Sequence, residues 1–146
     1  MNMEKLDILL KQGLNELVFG ASPEDADKLF GAPVEIEALE KDIDEDLESQ
    51  LWYYDEEGIS LFFEGEPDLE LTSIEVSNLD ATLFGKAIFK MSEEQIIDLM
   101  KENGFNDFYQ EDEEWGEKLL SFEDALIDFY FEEDKLVSVN WSASFF

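Results

Sequence analysis

Six side chains have the types and spacing of a binding face: Phe62, Glu64, Glu75, Asp128, Tyr130 and Glu132. Each alternates with apolar residues in a period-two pattern. Ile59, Leu61 and Phe63 interleave with Phe62 and Glu64, and Ile127, Phe129 and Phe131 interleave with Asp128, Tyr130 and Glu132. Thr72, Ile74 and Val76 likewise flank Glu75. Alternation of this kind sends one set of side chains to a core and the other away from it. The outward set combines aromatic anchors with carboxylates, the chemistry of docking onto a basic protein.

Other chemistries fare less well. Asp42-x-Asp44-x-Asp46 opens like a calcium loop, but the sixth position is Leu47 where glycine is needed and the twelfth is Tyr53 where glutamate is needed. A solvated acidic loop is the expectation, with no metal and no cofactor. Ser22 and Ser92 recur in matching contexts, yet the chain has no His and no Cys to serve as a base. Both read as helix N-caps. Trp52-Tyr53-Tyr54 has the rings to stack a ligand, although sheet packing accounts for it. A carboxylate-only enzyme, as in glycoside hydrolysis, is the catalytic class left open. With 39 acidic residues, nothing singles out one pair.

Charge narrows the partners. Against 39 Asp and Glu stand 9 Lys, a net charge of −30, without a single Arg. Direct nucleic-acid binding and attraction to anionic membrane surfaces are both disfavoured, since each needs cations. A field of this sign steers basic proteins inward. Solubility alone and adaptation to high salt explain the same charge, and a mimic of nucleic-acid charge is a further alternative. Apolar residues at 45%, including 13 Phe, suffice for a core. No apolar run reaches the roughly 20 residues of a membrane span, and the first residues lack a secretory pattern. A cytoplasmic protein is expected.

These residues need elements to position them. Leu6, Leu9, Leu10, Leu14 and Leu17 recur at helical spacing, which predicts an amphipathic helix over 3–18. Phe19 to Phe30 and Phe89 to Met100 share a cassette of cap, first-turn acids and apolar face. Ala26, Leu29 and Phe30 match Ile96, Leu99 and Met100. Gly31-Ala-Pro33 and Asn103-Gly104 stop the two helices. Each helix leads through an acidic stretch, Glu35 to Glu48 and Glu111 to Glu114, towards about three antiparallel strands. The expectation is one compact α+β unit over 1–146: two tandem helix-plus-strand repeats, about 19–78 and 89–142, forming one sheet with helices packed on one face.

The string from Phe19 to Pro33 resembles the opening of the β-lactamase-inhibitory-protein-like repeat, a unit shared with small lipoproteins of the outer-membrane assembly machinery. The likeness covers roughly 19–78 and, more loosely, 89–142. It implies a curved sheet that grips protein partners, and it transfers no binding residue. Together these readings point to a non-enzymatic, acidic protein-binding module, of inhibitor or immunity type, that neutralises a basic protein. A carboxylate enzyme or a small-ligand or calcium-binding protein is the alternative.

Overall fold

A computed structural model describes residues 6–38, 48–65, 68–113 and 116–144. Asp42, Asp44, Asp46 and most of the acidic stretch around them lie outside the described residues. In chain order come β1 (Leu6–Leu9), β2 (Gly13–Leu14), β3 (Leu17–Val18), α1 (Pro23–Phe30), β4 (Glu35–Ala38), β5 (Glu48–Tyr54), β6 (Ile59–Gly65) and β7 (Glu70–Val76). Then follow β8 (Ala81–Leu83), β9 (Lys86–Ala87), α2 (Glu93–Glu102), β10 (Tyr109–Asp112), β11 (Lys118–Phe122), β12 (Ile127–Glu132) and β13 (Lys135–Ser142).

The expected α+β arrangement of helix-plus-strand repeats around one sheet is overturned. Strands take 48% of the described residues and helices 19%, and the strands form two sheets of eight and five. The large sheet runs β10-β11-β12-β13-β7-β6-β5-β4, antiparallel throughout. It is two four-strand meanders joined where β7 pairs β13. The small sheet runs β3-β2-β1-β8-β9, and its one parallel pair joins Leu6–Ile8 to Ala81–Leu83.

The expected helix over 3–18 fails for local reasons. Lys11 and Asn15 hold φ of 62° and 54°, and Gly13 holds 148°. None of these angles belongs to an α-helix. At Gly13 a Cβ would stand 1.9 Å from the Leu17 carbonyl oxygen, so the chain can fold tightly here only without a side chain. The Asn15 carboxamide oxygen accepts from the Asp7 N–H at 2.7 Å and ties the turn back to β1. Leu6 and Ile8 then alternate as strand residues, both buried. The helical spacing of the leucines was real, but three turn-favouring conformations within five residues outweigh it.

Both helices start as their caps predict. Ser22 accepts from the Asp25 N–H and Ser92 from the Gln95 N–H, each at 3.2 Å, and each N3 side chain bonds back to the cap N–H. Ile96, Leu99 and Met100 bury the face of α2. In α1 only Ala26 and Phe30 do so, and Leu29 is 38% exposed, unlike its expected counterpart. Lys118 on β11 reaches Glu93 in the first turn of α2 at 3.0 Å and pins that helix to the sheet.

One cluster unites the layers. Leu61, Phe63, Ile74, Val76, Phe129, Val139 and Trp141 face Leu6, Ile8, Leu14, Leu17 and Leu83 of the small sheet and the apolar faces of both helices. The Trp141 indole N–H donates to the Gly13 carbonyl at 3.0 Å, a buried bond between residues 128 apart. The other face of the large sheet carries the complementary half of each strand's alternation. No helix among the described residues is long and apolar enough to cross a membrane.

Candidate binding face of the large sheet

The outer face is built by register. Across the middle of the sheet, one rung runs Glu35, Tyr53, Ser60, Glu75, Asn140, Asp128, Ser121, Tyr109, with one residue from every strand. To one side of it lies Glu37, Leu51, Phe62, Ser73. To the other lies Glu111, Leu119, Tyr130, Ser138. The two flanking rungs carry the same series of types: acid, leucine, aromatic, serine. They come from opposite halves of the sheet, and Glu75 lies on the rung between them.

All six expected site residues stand on this face, in the outward positions of β6, β7 and β12. The register does not bring them into a single cluster. Phe62 and Tyr130 are three strand spacings apart and offset by four residues along β13, from Ser142 to Ser138. At about 4.8 Å per strand and about 3.3 Å per residue, that is roughly 20 Å. Glu64 pairs with Glu70 at the far end of the β6–β7 hairpin, and Glu132 with Lys135 at the end of β12–β13. Both belong to the rim rather than the middle.

Side chains that sequence reasoning missed complete the face. Leu119 is only 7% exposed yet stands apart from the main core, beside Tyr130. Ser121, 3% exposed, donates to an Asp128 carboxylate oxygen at 2.6 Å and fixes its direction. Tyr53 is half-buried beside Glu35, while its sequence neighbours Trp52 and Tyr54 turn to the core. Alternation within Trp52-Tyr53-Tyr54 carried that signal. The partners across the strands could not be read without the register.

The electrostatics follow the same plan. Burial pushes the Glu75 carboxyl up from its usual range, the nearby Glu117 carboxylate pushes it further, and a hydrogen bond from Ser138 partly opposes both. The Tyr130 hydroxyl is raised by burial and then by Asp128, Glu113, Glu75 and Glu117. Tyr53 is raised by burial and then by Glu37, Glu35, Glu75 and Asp55. Glu75 therefore acts on both tyrosines, one in each half. Each tyrosine is a neutral ring held among carboxylates, and its ring face and hydroxyl oxygen are suited to a cationic side chain.

Among the described residues, no group of three or more carboxylates is set to hold a metal ion. Ser22 and Ser92 are occupied as caps. No family model, no curated protein and no solved structure matches this chain.

Proposed function

We propose that the protein is a non-enzymatic binding module that takes a basic protein on the outer face of its large sheet. The carrying observation is the paired rung of acid, leucine, aromatic and serine on either side of Glu75. Aromatic anchors beside half-buried Leu51 and buried Leu119 supply contact area, and the surrounding carboxylates supply the sign of the partner. Eight strands at about 4.8 Å and about six residues of strand length give a face of roughly 700 Å², close to one side of a standard interface.

The net charge of −30 favours a basic partner and rapid encounter at low salt. Glu75, the group that a catalytic reading would draw on, is only partly covered and lies on a central strand of this open face. An inhibitor or immunity role, exercised in the cytoplasm, fits this chemistry. The resemblance of the Phe19–Pro33 string to an inhibitory repeat supports the same direction.

The test is capture from the native host at low salt, with the intact chain as bait and washes of rising salt. The expected result is a basic protein that elutes with salt and is lost when Phe62 and Tyr130 are both changed to alanine. Recovery of no basic protein, or retention by the double variant, would refute the reading.

A further inference from the structure

The small sheet holds a second surface, which shares no residue with the first. An open groove of about 650 Å³ is lined by Asp7, Ile8, Leu9, Leu10, Phe84 and Phe105, among others. Its volume is that of a ligand cleft, and its walls are largely apolar.

Phe84 is the residue that gives the groove meaning. Leu83 pairs with Lys86, so Phe84-Gly85 is a two-residue hairpin turn, with φ of 53° and 76°. Turns with both angles positive favour Asn, Asp or Gly, and an aromatic ring at the first position is strained. The other two-residue hairpin turn of this sheet, between Leu14 and Leu17, uses Asn15 at the matching place with φ 54°. There the side chain bonds back to Asp7. Phe84 leaves its ring 39% exposed at the groove instead. A strained backbone that presents an apolar ring to solvent is unfavourable for the free chain, which directs attention to what the ring contacts when bound.

We infer that this groove receives an apolar anchor side chain, carried by a partner segment with lysine or arginine on either side of it. The walls fit the anchor. Asp7, whose Oδ1 accepts from Thr82 at 2.6 Å, stands on the lining, and the −30 field favours flanking cations. The same field repels a second copy of this chain. The cationic flanks rest on the basic-partner reading above, whereas the anchor rests on the groove alone.

Two end-labelled peptides test it by fluorescence anisotropy at low salt. One has a central leucine between three lysines on each side, and the other has glycine in its place. The leucine peptide is expected to bind about tenfold more tightly, the scale of burying one such side chain. Phe84→Asn, which restores the favoured turn residue, should erase that ratio, leave the glycine peptide unchanged and raise the melting temperature. Phe84→Gly should erase the ratio too. Equal binding of the two peptides overturns the groove while leaving the basic-partner reading standing. Binding of neither peptide overturns both. A Phe84→Asn protein that melts lower, or that keeps the ratio, shows that Phe84 serves the fold and overturns the proposal. A dimer of the free chain in sedimentation, lost in Phe84→Asn, overturns it in favour of self-association.

Discussion

Replacing Trp141 with phenylalanine tests how the two sheets are held together. Its side chain is fully buried, and its indole N–H donates to the Gly13 carbonyl on the small sheet at 3.0 Å. Phenylalanine removes the donor and leaves that carbonyl facing an apolar ring, a cost of about 1–3 kcal/mol. The smaller ring also leaves a void, which adds about 1 kcal/mol. The expected loss is about 2–4 kcal/mol, a large share of the 5–15 kcal/mol typical of a domain. Urea unfolding followed by circular dichroism would show the midpoint falling with an unchanged slope. Trp52→Phe is the control. The Trp52 indole bonds at 3.0 Å to Gln50, two residues away on the same face of β5, and the ring is 7% exposed. Its hydrogen bond has solvent as a ready substitute, so the loss there should be clearly smaller. A Trp141→Phe loss below about 1 kcal/mol, or equal losses for the two variants, would refute the argument that the interlayer bond matters.

Two further outcomes follow from caps and titration. Ser22→Ala and Ser92→Ala should each lower stability by about 1 kcal/mol, additively, because each removes the acceptor for an N3 N–H at a separate helix; thermal unfolding of the two single variants and the double variant reads this. Alkali should unfold the protein partly through Tyr54, whose hydroxyl donates to the Gly31 carbonyl at 2.9 Å and whose pKa burial pushes up to about 12 from 10.0. The folded state keeps a proton that the unfolded chain releases, so this contribution is whole below pH 10 and disappears as pH rises from there towards the folded value. The hydroxyl's bond to Gly31 is only partly buried, which limits the contribution to about 1–2 kcal/mol. Urea midpoints measured from about pH 9 upward should fall less steeply in Tyr54→Phe, and parallel slopes would count against the assignment.

The strands of the large sheet were legible because their alternation is nearly uninterrupted, from Ile59 to Phe63 and from Ile127 to Phe131. The helix starts were legible because Ser22 and Ser92 act through residues only three positions away. Sequence reasoning failed where a local pattern met a non-local partner. Leu6 to Leu17 reads as a helix by spacing, but β1 is completed by β8, more than 70 residues later. Leu29 looked like a core residue by analogy with Leu99, yet α1 is positioned to bury only Ala26 and Phe30. The candidate face divides in the same way. Which residues point outward follows from period two. That Glu75 should stand between Tyr53 and Tyr130 depends on strand order, which no single segment encodes.

Strand order has a consequence for synthesis on the ribosome. β13 is the last described strand along the chain, yet it lies fourth in the large sheet, between β12 and β7. Until Ser142 has been made, the meander of β4–β7 can form but ends in β7, whose partner does not yet exist. During that interval β7 is an open edge, the kind of surface that recruits strands from other nascent chains. Glu75 lies one residue from its C-terminal end, within the Ser73–Val76 stretch that later pairs with β13, and is the one charged residue between Glu70 and Val76. A carboxylate on an unfinished edge discourages the wrong strand from pairing there. The same side chain that stands at the centre of the finished face guards the unfinished one.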